Sequence, residues 1–205
     1  GKSDPYNATS NTTGQYMGLV DLFSPVRDKV LGITCGNHEA RVYRETGLDM
    51  MAVLAEQLGL YDRYSTEGLY IFLRFGEGPK WETRGGAKRQ LLYTIYAQHG
   101  SRGGRTAGSK VNALMSLQQI VEADIYIHSH THMGAIIPGT ALRPDVQNSG
   151  VQEHPVLFIN SSGHLEYGGY GETRGFPPLS RATPWVYLNG TRKEMDADLG
   201  QRQFW

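Results

Sequence analysis

One cysteine, no apolar run long enough to cross a bilayer and no excess of either charge: these shortages bound the function before any motif is read. Cys35 stands alone, so no internal disulfide can form, which suits a reducing compartment. No stretch approaches the roughly 20 apolar residues of a transmembrane helix, and no secretory leader is visible. Lys plus Arg and Asp plus Glu both number 20, so global charge recruits neither nucleic acid nor a membrane surface. No His-Glu-x-x-His is present, which removes the common zinc-protease helix. A cytoplasmic domain is expected, and 205 residues suffice for one substantial core. The Asn-x-Ser/Thr triplets at Asn7, Asn11, Asn160 and Asn189 read as chance without a secretory signal, and there is no internal repeat.

What is present is histidine in a pattern. Asp124 to Met133 reads DIYIHSHTHM, with His128, His130 and His132 at alternate positions after a β-branched and aromatic run. A continuing strand would put all three imidazoles on one side; a strand opening into a loop would crowd them. Neutral imidazole ligates divalent transition metals, and three on one face make a poor core because each buried ring nitrogen needs a partner. The bland alternative is a surface strand with incidental histidines.

Two further segments share the design. Val30 to Cys35 reads as a short buried strand, followed at once by Gly36-Asn37-His38-Glu39. Gly36 permits a tight exit, Asn37 offers an amide oxygen and His38 a titratable ring, while Glu39 offers a carboxylate able to orient that ring. The plain alternative is a strand-to-helix turn capped by Asn37. Leu91 to Ala97 is a strand pattern that ends in Gln98-His99-Gly100. Three strands each ending in His suggest a ligand site, because such sites lie at the carboxyl ends of strands in α/β sheets.

In this order the segments resemble the calcineurin-like metallophosphoesterase family, whose later motifs are Gly-Asn-His-Asp/Glu, a lone His after a strand, and Gly-His-x-His. Here they read Gly36 to Glu39, His99, and Ser129-His130-Thr131-His132, with Ser129 where the family has glycine. The likeness spans roughly residues 20 to 165, and a phage- or prophage-type member is the nearest flavour. It implies two packed mixed β-sheets flanked by helices, an α/β sandwich. The family's opening motifs, Asp-x-His and Gly-Asp-x-x-Asp/Asn, are not found. The chain starts Gly1-Lys2-Ser3-Asp4 and is expected to be the later part of a longer protein, short of a first strand–helix–strand unit of about 50 to 80 residues.

By that resemblance Asn37, His99 and His130 would bind one divalent ion and His132 a second. The ions would be manganese, zinc, iron or nickel, sharing an Asp from the unobserved motif. The pair would activate water against a phosphomonoester or phosphodiester. His38 would face the phosphate and stabilise or protonate it, with Glu39 holding the ring. His128 matches no family ligand. On its own the chain is expected to bind a single metal weakly, to show little catalysis, and to self-associate through exposed sheet edges. A non-catalytic scaffold on the same fold, or a DNA-directed nuclease of the family, are the rival readings.

The loop from His99 to Lys110 is glycine-rich and basic. Its Arg102 and Arg105 are candidate substrate contacts, the alternative being a solvated loop with Ser109 capping the next helix. The stretch Lys80 to Arg89 sets Arg84, Lys88 and Arg89 beside Trp81, either a solvated hairpin tip or a contact for a nucleic-acid strand.

Residues 1–15 read as a polar loop and 16–205 as one domain. Helices are expected over 16–28, 48–60 and 109–122. Strands are expected over 30–35, 69–75, 90–97, 124–129, 155–160 and 185–189. Residues 76–86 read as a loop or hairpin, and the roles of His154, His164, Phe204 and Trp205 are left open.

Overall fold

The computed structural model describes residues 11–76, 90–101, 104, 106–164, 172, 175, 178 and 181–200. The chain is a mixed α/β protein that divides into two compact units. Among the described residues no helix is long and apolar enough to cross a membrane.

The first unit contains the described residues up to Leu69 together with Gln98–Ser101. Its first helix, α1 (Thr12–Phe23), starts four residues before the expected position because the Asn11 side chain accepts from the Gly14 amide and caps it. The α-helix ends at Phe23, just ahead of Pro25, and the chain continues as a 3-10 segment over Ser24–Lys29, where the missing Pro25 N–H costs nothing. The expected strand 30–35 shrinks to β1 (Ile33–Thr34), whose partner among the described residues is the equally short parallel strand β2 (Tyr64–Ser65). Helix α2 (Asn37–Thr46) ends at Gly47, whose φ of 73° is the left-handed conformation of a helix C-terminus. Helix α3 (Met50–Gln57) is capped by Asp49, which accepts from the amides of Met51 and Ala52. Val20, Leu54, Leu58 and Leu60 form this unit's core.

The second unit is built on a five-stranded sheet. Its strands are β3 (Leu69–Phe75), β4 (Leu91–Gln98), β5 (Ile125–His128), β6 (Ala135–Asp145) and β7 (Gly150–Asn160), in the order β3-β4-β5-β7-β6. Strand β7 runs parallel to β5 and antiparallel to β6, so the sheet is mixed. Helix α4 (Ala107–Met115) is capped by Thr106 rather than Ser109, and passes into a 3-10 turn at Ser116–Gln119.

Alternation along β5 and β7 sends successive apolar side chains to opposite faces. Tyr126, Val156 and Phe158 meet Leu114 and Leu117 on one side. Ile125, Leu157 and Ile159 meet Val186, Leu188, Met195 and Ala197 on the other. That second layer is a hairpin of β8 (Thr183–Leu188) and β9 (Met195–Gly200). Burial on both faces explains the unbroken apolar run Val156-Leu157-Phe158-Ile159. The expected strand 155–160 is therefore the second half of β7, and β6 and β9 are strands that the sequence reading missed.

At the amino end of β5 sits a charge lock. Asp124 is 1% exposed and accepts from the Thr94 amide and hydroxyl at 2.7 and 2.9 Å. Lys193, in the turn of the hairpin, donates to it at 2.6 Å and lies 4.6 Å from the Tyr93 ring centre. The Tyr93 hydroxyl accepts from the Glu194 amide at 3.1 Å and faces the carbonyls of Asn189, Arg192 and Glu194 at 2.7 to 2.9 Å. The lock pins the hairpin to the sheet.

Burial alone would raise the Asp124 carboxyl. The Lys193 and Thr94 hydrogen bonds outweigh it and hold the group below the usual carboxylate range. A folded-state value below the unfolded one means stabilisation that is full above about pH 4 and is lost as pH falls further. Replacing Asp124 by Ala removes the acceptor shared by Thr94, Lys193 and Arg143, leaves Lys193 the Leu92 carbonyl and the Tyr93 ring, and should cost about 3 kcal/mol in urea unfolding at pH 7. The Asp124→Asn variant should lose less stability than the parent between pH 5 and pH 3, the opposite result meaning that the lock is not ionic.

Candidate functional site

The first cluster lies at the start of α2. Gly36, not Asn37, occupies the N-cap position, with φ −87° and ψ 165°, so Asn37 is the first helical residue. Its side chain is thereby released from capping and reaches His99, with Asn37 Oδ1 2.9 Å from His99 Nε2 across 62 residues of chain. Gly36 is needed between them. A Cβ there would lie 2.3 Å from Glu39 Oε2 and 3.2 Å from His99 Cε1. Glu39 thus folds back over Gly36 on the side where His99 lies, while His38 is exposed. No hydrogen bond joins Glu39 to His38 among the described residues, as expected of successive helical residues, which do not face each other.

Behind this turn Cys35 donates its backbone N–H to Ser65 and its thiol to the Gly36 carbonyl at 3.4 Å. Tyr64 donates to the Asp49 carboxylate, whose oxygens lie 2.8 and 3.0 Å away. Burial first, then the Asp49 carboxylate, pushes the Tyr64 phenol up. Burial likewise pushes the Cys35 thiol up, with Tyr64 opposing, so the thiol stays protonated at neutral pH.

The second cluster belongs to the other unit. The strand stops at His128, so of the two arrangements open to the histidines it is the one in which the strand gives way to a loop. His130 and His132 adopt left-handed conformations, with φ of 62° and 56°. His128 is 2% exposed, and its Nδ1 lies 3.3 Å from Asn160 Oδ1. Asn160 Nδ2 donates to Thr131 Oγ1, and Ser161 Oγ donates to Ser129 Oγ at 2.8 Å. Burial above all, with His130 nearby, holds His128 below the ordinary histidine range against the opposing Asn160 bond, so the ring is neutral at pH 7.

His132 packs on Gly163, where a Cβ would sit 2.4 Å from the ring Nδ1. Asn160, Thr131 and Gly163 are the residues that sequence reasoning missed. The available signal was a polar residue closing a wholly apolar run, followed by Ser-Ser-Gly.

Among the described residues no three His, Cys, Asp or Glu side chains gather into a metal-holding group. The donor pair that does form, Asn37 with His99, mixes an amide oxygen with an imidazole. His154 lies within β7 opposite Ala141, and His164 is exposed. Arg102, Arg105, the basic stretch 80–89 and the aromatic tail Phe204-Trp205 lie outside the described residues.

The glycine contacts separate two substitutions. Gly163→Ala should force the His132 ring to move and cost about 1–3 kcal/mol, with displaced His132 ring signals by NMR. Gly18→Ala, in the exposed middle of α1 with nothing within 4 Å, should instead stabilise by about 0.5–1 kcal/mol. Equal effects at the two sites would refute the packing of His132 on Gly163. Compared with family models, curated proteins and solved structures, the chain matches none.

Proposed function

We propose that this protein is a metal-dependent phosphoesterase, hydrolysing phosphomonoesters or phosphodiesters, on a sandwich of two packed mixed sheets flanked by helices. The observation that supports the reading is the contact between Asn37 Oδ1 and His99 Nε2 at 2.9 Å. Two ligand atoms about 2.1 Å from one ion, and at right angles about it, stand about 3 Å apart. The pair is therefore spaced as neighbouring ligands are, and an amide oxygen with a neutral imidazole suits manganese, zinc, iron or nickel. Ion binding requires a bare Nε2, so it competes with protonation of His99 and with any proton shared with Asn37. His130 and His132 are the imidazoles that the reading draws on in the second unit. Bound divalent ions would supply a water of lowered pKa and polarise the phosphoryl oxygens.

The chain's own residues would do the rest. His38 is exposed in the first turn of α2, beside backbone N–H groups that have no partner within the helix. Both donors suit a phosphate oxygen, His38 as a proton source and the helix start as a dipole end. Gly36 keeps the approach between Glu39 and His99 open, and Glu39 adds a carboxylate next to the ion-binding pair.

Titration of the chain with Mn(II), followed by electron paramagnetic resonance, should show one ion bound with a dissociation constant on the order of 10⁻⁴ M. Asn37→Ala and His99→Ala should each weaken it at least tenfold, roughly the effect of losing one ligand. Hydrolysis of bis-p-nitrophenyl phosphate with added manganese should be slow. His38→Ala should cut it about a hundredfold without changing Mn(II) affinity. No bound manganese and no hydrolysis would reject the phosphoesterase in favour of a binding or scaffold protein.

A further inference from the structure

We infer that Asn160 is the positioning residue of the histidine loop, holding His130 and His132 in their left-handed conformations through hydrogen bonds to His128 and Thr131. The argument begins with topology. Asn160 is paired with His128 on one side and with Ala135 on the other. Strand β7 therefore lies between β5 and β6, and residues 129–134 must cross its carboxyl end to join them. The crossing covers two strand spacings, about 9.6 Å, and reverses the chain direction within six residues. A bridge that short over the end of a strand has few backbone solutions. This one uses positive φ at two residues that are not glycine, each of which costs on the order of 1–2 kcal/mol.

Asn160 is the group beneath the arch. It is 0% exposed, and both ends of its amide are used. Nδ2 donates to Thr131 Oγ1, at the middle of the crossing and between the two strained histidines. Oδ1 is then left to accept, so His128 Nδ1 donates to it across the pair that begins the crossing. The chain leaving β7 fastens the same arch. Ser161 N–H donates to the His128 carbonyl at 2.9 Å, Ser161 Oγ to Ser129 Oγ, and Gly163 lies under the His132 ring. The Thr131 N–H also donates to the Ser129 carbonyl at 2.6 Å, but the Asn160 amide ties Thr131 back to the strand end at His128, and it does so inside the protein, where polar contacts are strongest.

The assignment of metal-binding roles to His130 and His132 rests on the phosphoesterase reading; the claim that Asn160 holds the loop does not. Two variants break the tie differently. Thr131→Val keeps the shape and removes the acceptor, Asn160→Ala removes the amide, and Thr131→Ser keeps the hydroxyl and serves as the conservative rescue. Hydrogen exchange read by mass spectrometry should speed up about tenfold or more at residues 129–134 in the first two variants. It should be unchanged in β4 and should match the parent in Thr131→Ser.

Parent-like exchange in a folded Thr131→Val variant would overturn the inference. So would a Thr131→Ser variant that behaves like Thr131→Val, since shape rather than the hydrogen bond would then hold the loop. Faster loop exchange in a protein that binds no manganese would support the positioning role while rejecting the phosphoesterase.

Discussion

Strand β7 is the constraint on which the second unit depends. It is the one strand paired to β5 in parallel and to β6 antiparallel, and its last five residues are buried. Insertion between β5 and β6 means that two elements adjacent in sequence are not adjacent in space. The connection between them must therefore climb over the end of a third strand. Everything unusual about the histidine loop follows from that crossing: its length, its two left-handed residues and the buried amide underneath it.

The two ends of the short strand β5 show how polar groups are tolerated beside an apolar core. At the amino end Asp124 is buried as a charge, and burial of a charge is tolerated because Lys193, Thr94 and Arg143 surround it. That end is closed, since the carboxylate is bonded inward to the hairpin turn and to β4. At the carboxyl end His128 and Asn160 are buried as neutral groups and carry fewer bonds. Neutral groups cost less to bury and leave the loop above them free to present imidazoles. The ionic end fixes the layers to each other; the amide end shapes a loop.

Much of this was legible in the sequence where hydrophobic pattern and burial agree. The span of β3 is recovered residue for residue, and β4, β5 and α3 are recovered within two or three residues, because their apolar periodicity is strong. Strand β6 was invisible for a physical reason. It carries Pro138, Gly139 and Pro144, which argue against a strand, yet it lies at the edge of the sheet, where a missing N–H is tolerated. Strand β9, Met195-Asp-Ala-Asp-Leu-Gly200, owes its conformation to its partner β8 and to the sheet beneath, not to intrinsic propensity. For the candidate site, the sequence pointed to Asn37 and His99 as members of one set, and the structure places them in contact. The backbone of the histidine loop was beyond reach, because alternation of residue types says nothing about the sign of φ.

That sign carries the last step of the argument. Glycine occupies left-handed conformations without penalty, and Asn, Asp and His enter them more readily than most residues, yet each of the two histidines still costs more there than glycine would. A loop selected for stability alone would have glycine at these positions and would cross β7 with less strain. Instead the strained positions are filled by side chains with ring nitrogens, and the intervening residue, Thr131, supplies the hydroxyl that the buried amide grips. The inference from strain to function runs from an observed outlier to a role. Here there are two outliers, on the same residue type, on either side of one buried hydrogen bond. A purely structural account explains why the chain turns sharply at the end of β5, but not why histidine stands at both turning points.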